Sequence, residues 1–315
     1  MALSARTHRP GVAFVGLGSM GLPMARHLVA AGFPVRGHDL RPEARAALAA
    51  TGAETPGSLP AAARGAEAIV LMVVNAEQAE TALLRDGALA ALAPDAVVIL
   101  MATCPPAAVE ALAGHVERAG RRFVDAPVSG GVVGAEAARL TIMAAAPAET
   151  LAAVRPILDA LGDKVFHVGS RPGQGATAKA VNQLLCGVHI AASAEALSLA
   201  ERVGVDRGAM LEILSGSSAS SWMLRDRGPR MLEAEPPVTS AVDIFVKDLG
   251  IVLEAGRGAK AALPLAALAH QLFLATSGRG DGACDDSQVV RAYRALNGAP
   301  PVRDAVRADG SGVPG

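Results

Sequence analysis

The chain has 315 residues and little cysteine, little lysine and no excess of charge. Its three cysteines, Cys104, Cys186 and Cys284, are scattered. An odd count without a C-x-x-C pair offers neither a disulfide framework nor a zinc site, so no metal is expected. Lys+Arg (29) and Asp+Glu (30) almost cancel, to −1. That balance argues against nucleic acid as the main partner. No run of like charge suggests a polybasic membrane patch. The first residues, MALSARTHRPGVAF, lack the long apolar core of a secretory signal. The longest uncharged stretch, Ala261 to Gly278, contains Pro264, His270 and Gln271. A membrane span needs roughly 20 predominantly apolar residues, so this stretch reads as a buried helix. The expectation is a soluble, cytoplasmic protein.

Only four basic residues are lysines: Lys164, Lys179, Lys247 and Lys260. In such a composition each lysine becomes a candidate for a place where an ammonium is needed.

What is present is an alternation. Short apolar or β-branched runs at 11–16, 34–38, 68–74, 96–102 and 122–125 read as strands. Helical patterns at 20–31, 42–50, 77–85 and 105–119 lie between them. Residues 140–146 and 164–168 read as further strands around a helix at 148–161. Strands alternating with helices at this spacing predict a Rossmann-type, doubly wound α/β domain with a mostly parallel sheet. After Arg171-Pro172-Gly173 the texture changes. An unbroken helical pattern runs to about Val203, followed by helices at 207–216, 222–233, 241–256, 264–277 and 285–296. The expected division is a dinucleotide-binding domain over 1–172 and an all-helical substrate and dimerisation domain over 173–305, joined by the long helix. The polar, Gly-rich tail 306–315 is expected to be disordered.

Gly16-Leu17-Gly18-Ser19-Met20-Gly21 fits G-x-G-x-x-G and sits where a strand gives way to a helix, the context that makes this pattern specific. Gly16 would permit the tight turn, Gly18 would let backbone approach a pyrophosphate, and Gly21 would let the helix pack closely. The second strand ends in His38-Asp39-Leu40-Arg41. An acidic Asp39 there would accept hydrogen bonds from an adenosine ribose and repel a 2′-phosphate, favouring NAD. Arg41 could accommodate that phosphate, and Asp39 could instead cap the next helix.

Two segments exceed fold punctuation. Phe123–Gly131 (FVDAPVSGG) ends in Ser129-Gly130-Gly131. Its hydroxyl and open backbone N–H groups suit a carboxylate; a flexible glycine loop is the plainer alternative. In Gly173–Gln183 (GQGATAKAVNQ), Lys179, Asn182 and Gln183 are spaced i, i+3, i+4 and share a helix face. A solvated stripe is the plainer alternative there, set against the apolar neighbours Ala178, Ala180 and Val181.

With these motifs in their order, the chain resembles the β-hydroxyacid dehydrogenase family, typified by 3-hydroxyisobutyrate dehydrogenase. GLGSMGLPMARHL is similar to its cofactor motif, DAPVSGG to its substrate motif, GQGATAKAVNQ to its catalytic helix, and Val246-Lys247-Asp248-Leu249 to its second-domain signature. The resemblance spans nearly the whole chain. Within the family, VVNAEQ (73–78), NQLLCGVHIAASAEA (182–196), SSWM (220–223), SAVDIFVKDLG (240–250) and DDSQVV (285–290) resemble the group that oxidises L-threonate to 2-oxo-tetronate (2-dehydro-L-erythronate). Val73-Val74-Asn75 replaces the Leu-Pro pair of the better-known members.

The resemblance implies Lys179 as catalytic acid/base and Asn182 as an orienting group. It places the substrate carboxylate on Ser129, Gly130 and Gly131, with Gln183 and the second-domain residues Ser220, Ser221 and Trp222 around a small hydroxy acid. It implies NAD held by Gly16 to Gly21, by Asp39, Leu40 and Arg41, by Val73, Val74 and Asn75, by Thr103 and, from the second domain, by Lys247. It also implies a homodimer or homotetramer.

The chemistry agrees with these roles. Oxidising an alcohol with NAD needs a hydride acceptor and a group to take the hydroxyl proton. A free lysine titrates near ~10.4 and would need desolvation or a neighbouring cation to serve near neutrality. His167, His189 and His270 are rival bases. Other readings keep the chemistry and change the substrate, to 3-hydroxyisobutyrate or the glycerate/tartronate semialdehyde pair. A non-enzymatic reading makes the chain a dinucleotide-binding regulatory module. Lys179 and the lack of a basic stripe count against that one, and Lys179 also counts against an imine reductase.

Overall fold

The computed structural model describes residues 9–298, so the tail expected to be disordered lies outside the described residues. The chain divides into two compact units. The first comprises the residues up to Gln183 with Glu254–Ala261; the second comprises Leu184–Leu253 with the residues from Ala262 onward.

The first unit is built on eight strands: β1 (Val12–Val15), β2 (Val35–His38), β3 (Ala68–Leu71), β4 (Val97–Leu100), β5 (Arg122–Asp125), β6 (Val128–Ser129), β7 (Thr141–Ala145) and β8 (Lys164–Gly169). They form one sheet in the order β2-β1-β3-β4-β5-β7-β6, with β8 also on β7. Strands β2, β1, β3, β4 and β5 pair in parallel. The sheet then changes sense. β7 runs antiparallel to β5, which it meets at Asp125 and Ala145, and antiparallel to β6, while β8 is parallel to β7.

The apolar runs are explained by where alternate side chains go. Val12, Phe14, Val70, Ile99 and Val124 enter one buried cluster. Their neighbours Ala13, Val15, Ile69, Leu71, Val98, Leu100 and Phe123 enter another. Successive strand residues point to opposite faces, so a sheet covered on both sides needs unbroken hydrophobicity instead of alternation. Helices Gly21–Ala30, Pro42–Ala49, Pro106–Arg118 and Ala148–Asp159 follow the strands as expected.

Several short elements escape the sequence pattern: helices Leu59–Ala63, Ala88–Ala91 and Gly131–Glu136, and strand β6. None is long enough to express a period of its own. The helix read at 77–85 is α-helical only over Ala76–Glu80 and widens into a π-helical turn over Thr81–Arg85.

Helix Gln174–Val203 is one continuous rod of 30 residues. It is long and apolar enough to cross a membrane by those two criteria alone, and half of its most apolar window is buried within the protein.

The remaining helices are Arg207–Gly216, Trp222–Leu232, Val242–Gly258, Pro264–Thr276 and Val290–Asn297. The last is preceded by a 3-10 turn, Asp286–Val289, where a plain helix was expected; Asp285 accepts from Ser287 N and caps that turn. Apart from one bridge between Ala241 and Asp285, no β pairing occurs in the described part of the second unit. Phe245 and Phe273 stack there, with ring centroids 5.1 Å apart. Buried charges also hold it together. Arg227 clasps Asp286 with two bonds, Nε to Oδ1 at 2.8 Å and Nη2 to Oδ2 at 2.9 Å. Arg230 bonds Asp285, and Asp226 accepts from both arginines.

Candidate dinucleotide site and active site

The first turn of the sheet is shaped by glycine. Gly16 has φ +89°, and a Cβ on it would collide with the carbonyl oxygen of Met72. A Cβ on Gly21 would strike the carbonyl of Gly16, so the helix could not start so close to the strand. Gly18 differs: a Cβ there would meet only Arg41 Nη2, at 3.8 Å. The fold therefore does not itself require glycine at 18, and the room beside it suits a bound phosphate. Among the described residues no hydrogen bond takes up the N–H groups of Ser19, Met20 or Gly21. These are orphan donors at a helix N-terminus with no acidic side chain in its first turn, a ready anion site.

Asp39 stands at the end of β2 beside this turn. Its Oδ2 accepts from Leu17 N at 2.7 Å, and its Oδ1 accepts from Arg41 N at 2.9 Å and Arg41 Nε at 3.0 Å. Burial pushes its carboxyl up, but the bonds from Arg41 and the backbone outweigh that and hold it below the ordinary value. It does not cap helix Pro42–Ala49, whose N-terminus has no side-chain cap. Arg41 is thus committed to Asp39 and to the carbonyl of Leu17, while Leu40 is almost fully exposed.

Val73 lies against the same turn, within ordinary contact of a Cβ at Gly16. Asn75 caps the helix that follows through its Oδ1. Its Oδ1 accepts from Gln78 N, and Gln78 Oε1 accepts from Val74 N, a reciprocal cap on the helix that follows. Thr103 lies just beyond β4, partly buried.

Ser129 ends β6, and Gly130 (φ +128°) and Gly131 (φ +59°) turn the chain into helix Gly131–Glu136. The segment is a strand-to-helix turn.

The helix bearing Lys179 is anchored by a residue the sequence reading did not single out. Asp125, at the end of β5, is 1% exposed. Its Oδ2 accepts from Gly173 N and Ala176 N, each at 2.9 Å. Burial pushes its carboxyl up to about 6, against the pull of the N–H donors of Ala176, Gly173 and Gly175. A Cβ on Gly175 would come within 2.6 Å of Asp125 O and 2.7 Å of Met143 O, so the first turn presses directly on the sheet.

Six residues beyond Gly173, Lys179 is 6% exposed and donates from Nζ to Gln183 Oε1 at 2.7 Å. Gln183 is equally buried. A solvated stripe is therefore excluded. Asn182 Oδ1 is also buried and accepts no hydrogen bond among the described residues. Of the rival bases, His167 Nε2 is within 2.9 Å of Ala146 O, a backbone partner.

In the second unit, Ser221 Oγ caps helix Trp222–Leu232 by accepting from Leu224 N. Ser220 Oγ accepts from Arg225 Nη1 at 2.7 Å. Trp222 is about half exposed, and Lys247 Nζ bonds Asp248 Oδ1 at 2.6 Å.

Two family models match. Residues 11–169 fit the NAD-binding domain of 6-phosphogluconate dehydrogenase, and residues 173–293 fit the NAD-binding domain of NADP-dependent 3-hydroxyisobutyrate dehydrogenase. The chain is 42% identical to an L-threonate dehydrogenase of Cupriavidus necator, covering 90% of this chain and 95% of that one. It is 36% identical to a 3-hydroxyisobutyrate dehydrogenase of Pseudomonas aeruginosa, over 83% and 90%. It superposes on a crystal structure of 3-hydroxyisobutyrate dehydrogenase from Salmonella typhimurium with a TM-score of 0.85 at 38% identity, over 89% and 99%.

Proposed function

The chain belongs to the 3-hydroxyisobutyrate dehydrogenase-like family of NAD(P)-dependent oxidoreductases acting on small hydroxy acids, and we propose that its substrate is L-threonate, its product 2-oxo-tetronate and its preferred cofactor NAD. The observation that carries the chemistry is the buried Nζ of Lys179, bonded to Gln183 one turn on.

The bound dinucleotide supplies the hydride acceptor. Lys179 takes the substrate's hydroxyl proton on Nζ as the alcohol carbon gives up its hydride, and returns it to the carbonyl oxygen in the reverse direction. Gln183 holds Nζ in place. Asn182, whose buried Oδ1 has no partner among the described residues, orients the substrate. Ser129 and the backbone N–H groups of Gly130 and Gly131 bind the carboxylate. The N–H groups of Ser19, Met20 and Gly21 hold the phosphates, beside Gly18, where a side chain is absent. Thr103 and Val73 line the cofactor.

The substrate assignment rests on the threonate-oxidising relatives and on the polar character of the Lys179 helix face. Purified protein is expected to reduce NAD with L-threonate at a higher kcat/KM than with 3-hydroxyisobutyrate, since buried polar groups left unpaired penalise an analogue lacking the matching hydroxyls. A preference for 3-hydroxyisobutyrate refutes the substrate and leaves the family intact. Lys179→Ala is expected to lose ~10²–10⁴ in kcat with NAD affinity retained. Lys179→Arg should fail equally, because guanidinium stays protonated. Asp39→Ser should narrow the preference for NAD over NADP; equal use of both by the unmutated protein refutes that preference.

We also propose a cytoplasmic homodimer or homotetramer. Val181, Leu185, Leu199 and Val203 are exposed large apolar residues at helical spacing along one rod, a stripe suited to a second copy. A monomer in sedimentation would refute this.

A further inference from the structure

Asp125 is a buried acid with no cationic partner among the described residues. Its bonds go to the backbone of Gly173 and Ala176, 48 and 51 residues away in sequence. The helix that starts there has no acidic residue in its own first turn. An α-helix leaves its first N–H groups unsatisfied and carries a partial positive charge at that end. Here the missing acceptor and the missing negative charge both come from the end of a β-strand. The same junction is tight, because Gly175 leaves no room for a side chain against Asp125 O and Met143 O. The acceptor and the close approach together set where the first turn sits on the sheet. Lys179 follows within the next turn of the same rigid rod.

We propose that Asp125 is a positioning residue for the reaction: by accepting from Gly173 N and Ala176 N it sets the height and rotation of the helix that carries Lys179, and so places Nζ at the reacting atoms. The inference rests on the reading of Lys179 as the acid/base. Asp125 itself touches neither substrate nor cofactor in this role. A displacement of about 1 Å at a reacting group can cost roughly 10²-fold in rate, so the helix register bears directly on turnover.

The test compares kcat and NAD affinity for Asp125→Ala, Asp125→Asn, Lys179→Ala and the double variant Asp125→Ala/Lys179→Ala. Asp125→Ala is expected to lower kcat about 10- to 100-fold while the NAD Kd stays within about twofold, because the Gly16–Gly21 turn is untouched. Asp125→Asn keeps an oxygen that accepts from both N–H groups and is expected to restore most of the lost kcat. In the Lys179→Ala background the Asp125→Ala loss should vanish, since a misplaced amine no longer matters. A loss of kcat that persists in that background, or an Asp125→Asn protein as poor as Asp125→Ala, overturns the inference and leaves the Lys179 reading standing. Near-normal turnover by Lys179→Ala alone overturns both. If Asp125→Ala does not fold, Asp125→Glu serves in its place. It keeps the charge but moves the acceptor by one methylene, and its kcat should fall below that of Asp125→Asn; equal rates overturn the inference.

Discussion

Asp125 in the first unit and Asp286 in the second are both buried acids, 1% and 0% exposed, held by opposite means. Asp125 faces the N–H groups of a helix end, and no cation bonds it among the described residues. Asp286 is clasped by the two-pronged guanidinium of Arg227, itself bonded to Asp226. Burial pushes both carboxyls up. Arg227 pulls Asp286 back, with its own guanidinium held more firmly protonated in return. Backbone donors can be satisfied by any oxygen of the right shape. A buried carboxylate clasped by a guanidinium is held by charge, and loss of either partner leaves the other uncompensated. The sheet unit should therefore tolerate loss of charge at its buried acid, and the helical unit should not.

The largest expected effect follows from that contrast. Arg227→Met leaves Asp286 charged and unpaired in the interior and should cost ~3–5 kcal/mol of stability. Denaturant unfolding followed by fluorescence of Trp222, the single tryptophan, reads the unit concerned. Arg227→Met/Asp286→Leu should recover much of the loss. The contrast breaks if Arg227→Met costs no more than Asp125→Asn.

Next in size is the pH response of Asp125→Asn. With the folded carboxyl at about 6 against 3.8 for the free group, the folded state resists ionising it. The resulting stability is fully present below about pH 4 and is lost as pH rises through 6. An amide never ionises, so the variant should gain on the unmutated protein between pH 4 and 7, by up to ~3 kcal/mol. A stability difference that stays flat over that range would mean that the N–H donors fully compensate the buried charge.

Gly175→Ala sharpens the geometric half of the comparison. Its Cβ has backbone oxygens at 2.6 and 2.7 Å, so ~1–3 kcal/mol of destabilisation is expected from overpacking. Thermal unfolding measures it, and an unchanged midpoint would show that the first turn can slide.

The smallest effect belongs to Asp39, which combines both means of holding a carboxylate: Leu17 N donates to Oδ2, and Arg41 donates to both oxygens. Its side chain is 10% exposed and that of Arg41 is 55% exposed, so solvent screens the pair. Asp39→Asn should cost at most ~1 kcal/mol at neutral pH and less in high salt. Because Asp39 is held below its ordinary value, that contribution is present above about pH 4 and fades as pH falls. A loss comparable with Arg227→Met would show that exposure does not separate these sites.

Much of the first unit is legible locally. The runs at 68–71 and 97–100 read as strands because both faces of the sheet are covered, and Gly16 and Gly21 read as turn and contact glycines because sterics act over a few residues. Lys179 and Gln183 are legible as a pair because i and i+4 meet on any helix. Their burial is not, since alanine-rich surroundings fit a surface as well as a core. Asn75 caps a helix in the structure, a role the sequence reading did not give it. Asp125 was visible inside DAPVSGG without a role, because its partners lie 48 and 51 residues on.

The sequence by itself determined the alternation of strand and helix, the glycine turn, the acidic end of β2 and the face shared by Lys179, Asn182 and Gln183. Each depends on steric rules or periodicities that operate within one element. Only the tertiary structure decided that β7 reverses the sheet and that the long helix is seated by a carboxylate at the end of β5. Those outcomes depend on which distant groups meet, and on removing them from water, where an unpaired donor or charge becomes costly enough to choose its partner.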